Sequence, residues 1–184
     1  MKMEHVSMNS SKGFTLNMSH YVKQVTEVKD GFIINGNSWL RVFVDSTYEL
    51  GYFFGASVSR AVVNLSNYRG QVFFRMYDDE DCTKLYESIE EAFNVAPRFR
   101  DINKYRYELI VYSKPIAKLL SEFGKGESRT IPSKYLVDNP KYLRGIHEGI
   151  EDFGGHLVDE REIIRKIKFS HNLKKIFDLT DKYH

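Results

Sequence analysis

The sequence predicts an α+β fold in which helices alternate with pairs of β-strands. From residue 46 onward the hydrophobic pattern changes repeatedly between the period of helices and the period of strands. Short turn sequences such as SNYRG at 66–70 separate strand-like segments, as expected of hairpins. Two helical segments also carry glycine pairs with the same spacing, at an offset of 94 residues, which indicates an internal repeat.

The composition fits one globular domain. A chain of 184 residues with 42% hydrophobic and 28% charged side chains can bury a sizeable core. Cys82 is the only cysteine, so intrachain disulfides and thiolate zinc sites are excluded and a cytoplasmic location is expected. No apolar run approaches the ~18 residues of a membrane span, and the polar N-terminus MKMEHVSMNSSKG lacks the apolar core of a signal peptide.

Residues 1–45 are predicted to form a β-rich N-terminal segment. Residues 1–13 are polar and are predicted to be irregular. Residues 20–45 contain the strand-like runs YVKQVTEV, GFIING and WLRVFVD, separated by the turn signals KDG and NGNS. The part from 20 to 45 is a candidate for completing the sheet of the second repeat, which has room for only two strands of its own. Ser46 and Glu49 form a capping-box pattern, which predicts that the first helix begins at residue 46.

Local patterns then predict three strand pairs and four more helices. The helix over 78–95 has an acidic first turn and an apolar face of Leu85, Ile89 and Phe93. Ser113 caps a third helix that Gly124 ends, and Asn139-Pro140 begins a fourth. The predicted boundaries are strands at 59–66, 70–77, 97–102 and 104–112, a first repeat at 46–123, a polar linker at 124–139, and a second, truncated repeat at 140–184 with two strands and a last helix.

The glycine pairs predict how two of the helices pack. Gly145 and Gly149 lie four residues apart inside the helix at 140–152, and each costs about 1 kcal/mol relative to alanine. Gly51 and Gly55 occupy the corresponding positions of the first helix. Glycines at this spacing remove the side chains from one helix face, so another backbone can approach closely. We therefore expect the two glycine faces to pack against each other.

The same two segments resemble the motifs of a known family. LGYFFGASVS at 50–59 and YLRGIHEGIED at 142–152 are similar to the two motif helices of LAGLIDADG homing endonucleases, and TIPSKYL at 130–136 is similar to the family's linker. The resemblance covers about 46–170. It implies an αββαββα repeat with a shortened second copy, a central interface between the motif helices, and a saddle of strands on double-stranded DNA. It also implies one acidic residue at the foot of each motif helix, where a divalent metal is held at the scissile phosphates.

The acidic residues that the resemblance requires are missing. Ala56 and Ile150 occupy the two expected positions. Glu151 and Asp152 follow Ile150, but each further residue turns the side chain by about 100° around the helix. Because Mg²⁺ prefers carboxylate oxygens, Glu151 is the candidate metal ligand, and Glu151 and Asp152 are the candidate catalytic residues, with Glu148 third. The alternative interpretation is a solvated helix end.

Basic and amide side chains alternate along the predicted strands. Alternation places such residues on one sheet surface, from which Arg can contact guanine and Asn or Gln can contact adenine. The acidic residues concentrate instead in the helix over 78–95, so a chain with a net charge of only +2 can present a basic face. The candidate DNA-binding residues are Asn64, Arg69, Gln71, Arg75, Arg98, Arg100, Lys104, Arg106, Arg165, Lys166 and Lys168.

The sequence therefore predicts a double-stranded DNA-binding protein with a degenerate cleavage site. Binding requires no cofactor in this interpretation, Mg²⁺ is needed only if the chain is catalytic, and no membrane partner is expected. A larger nucleic-acid-processing complex is a further expected partner. The alternatives are an active divalent-metal-dependent homing endonuclease and a structured-RNA binder of the maturase type. No P-loop, GxGxxG, GxSxG or HExxH motif points to another chemistry.

Overall fold

The structure is a computed structural model that describes residues 6–9, 13–22, 28–35, 38–103, 106–126 and 129–154. It has a mixed α+β architecture with antiparallel sheets, which confirms the predicted class at that level. The helices are α1 (Tyr48–Arg60), α2 (Asp79–Phe93), α3 (Lys114–Ser121) and α4 (Pro140–Gly154), and the strands are β1 (Val6–Asn9), β2 (Gly13–Asn17), β3 (Val28–Lys29), β4 (Phe32–Asn35), β5 (Ser38–Arg41), β6 (Phe43–Asp45), β7 (Val62–Leu65), β8 (Gly70–Met76), β9 (Arg98–Asn103) and β10 (Arg106–Tyr112).

The described strands form three sheets. One sheet has four strands in the order β7-β8-β10-β9, and the other two have the orders β1-β2-β6 and β3-β4-β5. From α1 to α3 the elements follow one another as helix, two strands, helix, two strands and helix. In the described part of the chain the strands before residue 46 pair only among themselves. The strands predicted for the second repeat, whose sheet this segment is expected to complete, lie outside the described residues, so that expectation stays a prediction. The expected irregularity is wrong for Val6–Asn9, which pair with β2.

The N-cap of the first helix lies one residue later than the capping-box pattern predicts. Thr47 is the N-cap, and its side chain accepts a hydrogen bond from the backbone N–H of Leu50. The Ser46 hydroxyl is buried and accepts instead from the backbone N–H of Phe14. The long-range contact therefore takes Ser46 out of the helix and ties the N-terminal segment to the start of α1.

Local signals place the other helix starts correctly. Asp78 caps α2 and accepts from the backbone N–H groups of the first turn. Ser113 caps α3 and accepts from Ile116, and Asn139 accepts from the backbone N–H of Tyr142 at the start of α4. These short polar side chains satisfy donors that have no partner within the helix.

Helices α1 and α4 pack along their glycine faces. A Cβ atom built on Gly51 would overlap the carbonyl oxygen of Tyr142, and one on Gly145 would overlap that of Tyr48. Gly55 and Gly149 meet the opposite backbone in the same way. Because the backbones touch at four positions, close packing and Cα–H···O contacts can offset the low helix propensity of glycine.

The N-terminal segment and the segment before α4 contribute to the same hydrophobic core as α1. The ring of Phe14 lies 5.3 Å from that of Tyr142 and 5.6 Å from that of Tyr135. Ile131 and Val137 are also buried. The segment 124–139 is therefore not the purely polar linker that its composition suggests. The division of the chain into N-terminal segment, two repeats and linker stays a prediction.

None of the helices in the described part of the chain has the length and hydropathy that crossing a membrane requires.

Candidate nucleic-acid interface

The four-stranded sheet has one buried face and one face directed outward. Along β8, Val72, Phe74 and Met76 are buried against the core, whereas Gln71 and Arg75 alternate with them and point the other way. Residues that pair directly across neighbouring strands share a face. The outer face is therefore defined by the partners of Gln71, Phe73 and Arg75 on the other three strands.

The outer face contains three rows of paired side chains. The first row is polar, the second is mostly apolar, and the third is charged. In strand order these rows are Asn64, Gln71 and Tyr112; Val62, Phe73, Ile110 and Arg98; and Arg75, Glu108 and Arg100.

The charged row is organised around one buried carboxylate. Glu108 lies on the central strand β10 and is only 1% exposed. Its Oε1 atom lies 3.3 Å from Nε of Arg75, and its Oε2 atom accepts a hydrogen bond from Nη2 of Arg100. The arginine side chains are 69% and 63% exposed. Two guanidinium groups are therefore held above the sheet by hydrogen bonds to the same carboxylate.

Two further arginines lie over tyrosine rings. The guanidinium carbon of Arg98 is 5.1 Å from the ring centre of Tyr112, and that of Arg106 is 5.9 Å from the ring centre of Tyr77. Cation–π contacts of this kind hold a flexible side chain against the sheet without neutralising its charge. Together with the charged row, the outer face carries four arginines.

The structure places most of the predicted DNA-binding residues together. Arg69 lies in the turn between β7 and β8, where the Ser66 hydroxyl accepts from its backbone N–H. Asn64, Gln71, Arg75, Arg98, Arg100 and Arg106 lie on the outer face. Lys104, Arg165, Lys166 and Lys168, with the strands and helix predicted after α4, lie outside the described residues.

Sequence reasoning missed several residues of this face. Glu108, Phe73 and Tyr112 are not candidates from the sequence. Aromatic residues on strands suggest core or saddle packing when read alone, and a single acidic residue on a strand does not suggest contact with DNA. The alternation along β8 carries part of the signal, but β10 is buried continuously over 108–111, so only the pairing register shows which residues meet.

The described residues at the foot of the α1–α4 pair offer no complete divalent-metal site. Ala56 and Ile150, at the positions where the family resemblance calls for carboxylates, are completely buried and apolar. Glu151 is exposed and lies 3.5 Å from Nε2 of His147. Within the described ranges no group of three or more His, Cys, Asp or Glu residues could hold a metal ion. Glu151 as a metal ligand and catalytic residue stays an untested prediction.

Asp152 and Glu148 belong to a polar network, and the role of Asp152 as a catalytic residue stays an untested prediction. The hydroxyl groups of Tyr52 and Tyr48 donate to Asp152 and Glu148 respectively. Lys84 of α2 lies 3.1 Å from the Asp152 carboxylate and 3.2 Å from the Glu148 carboxylate. Its ammonium group also lies 4.5 Å from the ring centre of Tyr52. One ammonium group thus joins α2 to both motif-like helices.

The network changes the acidity of its members. Burial raises the pKa of Glu148, but hydrogen bonds from Tyr48 and Lys84 outweigh it and hold that pKa below its ordinary value. Burial and the bond to Glu148 raise the pKa of Tyr48 to about 12. Nearby Asp81 has its pKa raised to about 6 by burial and by the negative charge of Asp152. The lowered pKa of Glu148 and the raised pKa of Lys84 both favour the charged forms of these two neighbouring groups.

Arginines bind the C-terminal carbonyl groups of both helices. Nε of Arg60 donates to the carbonyl oxygen of Phe153 at 2.7 Å, near the end of α4. Nη1 of the buried Arg129 donates to the carbonyl oxygens of Ser57 and Ala61 at the end of α1. Positive charge at a helix C-terminus offsets the negative end of the helix dipole.

A small cavity connects this foot with the outer face of the sheet. It has a volume of about 80 Å³, and its walls include Arg60, Asp152 and Phe153 from the helix ends. Arg75 and Tyr77 from the outer face of the sheet line the same cavity. The ends of the helices and the arginine-bearing face therefore adjoin each other.

The comparisons with known proteins assign no family. No family model matches the sequence, and no curated protein matches it. Among solved structures, the crystal structure of I-DmoI in complex with DNA and Mn is similar, with a TM-score of 0.41 and 13% sequence identity. The match covers 59% of this chain and 62% of that chain, so it spans about three fifths of the I-DmoI chain.

Proposed function

We propose that this chain binds double-stranded DNA through the outer face of the β7-β8-β10-β9 sheet. The single observation that carries the proposal is the convergence of four arginines, Asn64 and Gln71 on that face. Arginine forks fit both phosphates and guanine edges, and amides fit adenine edges. Asp78 and Asp81, at the start of α2, line the same cavity as Arg75, so acidic residues border one end of this face.

The dimensions of the sheet suit a duplex. Strands β8 and β10 each have seven residues, which corresponds to about 23 Å at 3.3 Å per residue. A two-stranded ribbon fits the major groove, which is about 12 Å wide. In the proposed complex the β8–β10 pair follows the groove, while the flanking strands β7 and β9 bring Asn64 and Arg98 toward its walls.

The scaffold in this proposal is a LAGLIDADG-like αββαββα repeat with a degenerate cleavage site. The glycine-faced α1–α4 pair and the order of elements from α1 to α3 support the scaffold. The burial of Ala56 and Ile150 and the engagement of Asp152 by Lys84 support the loss of cleavage. The chain then acts as a DNA-binding protein or as the DNA-binding subunit of a larger complex.

The proposal is tested by selection from a pool of randomised duplexes, followed by titration of the best-bound duplex at several salt concentrations. Replacing Arg98 and Arg100 by Gln should weaken binding and reduce the slope of log K against log salt by about 0.9 for each phosphate that is no longer neutralised. A charge-matched variant with Lys29→Gln and Lys141→Gln, on β3 and at the start of α4, should retain the slope. Equal slopes for both double variants would place the interface elsewhere.

Structured RNA is the second candidate ligand. The outer face has the partly buried Phe73 in its middle row and the exposed Tyr112 in the neighbouring row, and these rings offer surfaces on which unstacked bases could lie. The middle row also suits thymine methyl groups in a duplex. Competition between the selected duplex, a folded RNA pool and single strands of equal length separates these ligands. Stronger competition by folded RNA would favour the maturase-type function over the DNA-binding one.

A further inference from the structure

Glu108 is unusual because it is an acidic residue at the centre of a basic face. The carboxylate uses one oxygen for Arg75 of β8 and the other for Arg100 of β9, so it joins the two strands that flank its own. A carboxylate here removes one unit of the positive charge that attracts phosphates. For sequence-independent binding, a neutral residue at this position would serve better.

The burial of Glu108 also has a cost. Taking a carboxylate out of water is offset only when its partners are well placed, and a well-packed hydrophobic residue of similar volume is often as stable or more stable. Neither the affinity for phosphates nor the stability of the fold therefore explains why a carboxylate lies at position 108. What Glu108 does provide is a fixed position for two guanidinium groups that are otherwise exposed to solvent.

We propose that Glu108 is a positioning residue that holds Arg75 and Arg100 as a rigid pair for reading base edges. The inference rests on the proposed DNA-binding function and adds to it the source of sequence preference. Arg75 binds Glu108 through Nε, which leaves its two terminal nitrogens for a bidentate contact with O6 and N7 of guanine. Arg100 uses one terminal nitrogen and retains the rest of its fork. The pair reads two guanines, and Glu108 sets their spacing.

A role in charge balance or folding makes different predictions from a role in positioning. If the two arginines contact phosphates only, removing the carboxylate strengthens binding to all duplexes equally. If Glu108 only stabilises the sheet, its loss lowers the melting temperature and weakens binding to all duplexes equally. Only the positioning role changes the ratio of two affinities: the affinity for the selected duplex and the affinity for the same duplex with its guanines replaced.

The experiment compares the wild-type chain with Glu108→Gln, which keeps the shape of the side chain but cannot accept from both arginines. The probes are the duplex selected by the wild-type chain, the same duplex with its preferred guanines changed to adenines, and a random duplex. We expect the preference for guanine to fall about tenfold at those positions, while affinity for the random duplex stays the same or rises. Asp101→Asn, on the opposite face of β9, changes the net charge equally and should retain the preference.

A second variant tests the same inference if Glu108→Gln does not fold. Changing Arg75 and Arg100 to Lys keeps both charges but removes the planar forks, so it should reproduce the loss of preference with little loss of random-duplex affinity. Unchanged preference in a folded Glu108→Gln chain, or in the double lysine chain, would overturn the positioning role alone. No duplex binding by the wild-type chain would overturn both this inference and the proposed function.

Discussion

Gly51 and Gly145 occupy equivalent positions on opposite sides of one helix interface. A Cβ atom on Gly51 would lie 3.1 Å from the backbone nitrogen of Ile146, and one on Gly145 would lie 2.8 Å from that of Tyr52. Ile146 follows Tyr52 by the same 94 residues that separate the two glycines. The two helices therefore make the same backbone contact in both directions, as expected of a pair related by an approximate two-fold axis.

The first prediction concerns this interface. Gly145→Leu places a large side chain where the carbonyl group of Tyr48 and the backbone of Tyr52 already lie, so α1 and α4 must separate. We expect the free energy of unfolding to fall by at least the ~1–3 kcal/mol typical of overpacking, as measured by urea denaturation. Lys141→Leu, on the exposed start of α4, adds the same side chain and should change stability little. An unchanged denaturation midpoint for Gly145→Leu would contradict the packing.

Local sequence patterns predict the helix boundaries and the glycine faces of the helices well because those features lie within single helices. The i, i+4 glycine pairs and the apolar face of Leu85 and Ile89 are visible within single helices. The cap at Thr47 lies one residue after its predicted position because the backbone N–H of Phe14, 32 positions before Ser46, donates to the Ser46 hydroxyl. Such long-range partners are invisible in a local window.

The same distinction between local patterns and long-range contacts holds for the candidate site. Strand alternation is sufficient to predict that Arg98 and Arg100 share a face. It does not show that Glu108 stands between Arg100 and Arg75, since that depends on the register of three strands. The network at Lys84 depends on how α2 lies against two other helices, so no spacing in the sequence identifies it.

The second prediction concerns Lys84. Lys84→Met removes the ammonium group that joins α2 to Glu148 and Asp152, and leaves two partly buried carboxylates near each other. Because all three groups retain some contact with solvent, we expect a loss of about 1 kcal/mol in the free energy of unfolding. Lys84→Arg keeps the charge and should lose less. The result is checked by denaturation at low and high salt, and a Lys84→Met chain as stable as the wild type would show that the network does not stabilise the fold.

The third prediction concerns pH and Asp81. Burial and the negative charge of Asp152 raise its pKa from 3.8 to about 6 in the folded chain. A carboxyl group whose pKa is higher in the folded state contributes stability below its unfolded pKa, and this contribution is lost as the pH rises through the folded pKa. Asp81→Asn should therefore gain stability relative to the wild type as the pH rises from about 4 to 6.

The control for Asp81→Asn is Asp79→Asn. Both residues lie in the first turn of α2, so both substitutions lose a similar favourable interaction with the helix dipole. Thermal melts of the three chains at several pH values isolate the effect of the pKa shift. A stability difference between Asp81→Asn and the wild type that stays constant from about pH 4 to 6 would contradict the raised pKa.

The fourth prediction concerns cleavage. Ala56 and Ile150 are buried in the α1–α4 interface, and neither can ligate a metal ion. Lys84 and Tyr52 engage Asp152, whereas Glu151 is exposed beside His147. We therefore expect no site-specific double-strand cleavage of the best-bound duplex in a time course with Mg²⁺ or Mn²⁺.

The Glu151→Gln variant shows whether any residual nicking activity arises at the foot of α4. A single carboxylate could support nicking of one strand, because one metal ion can activate water and shield a phosphate. Nicking that Glu151→Gln abolishes, while DNA binding and the melting temperature are unchanged, would establish a one-sided site at the foot of α4. Nicking that persists in Glu151→Gln points to a contaminating nuclease or to other residues, and Asp152→Asn then separates these two cases. Efficient double-strand cleavage by the wild-type chain would refute the degenerate site and identify the chain as an active endonuclease.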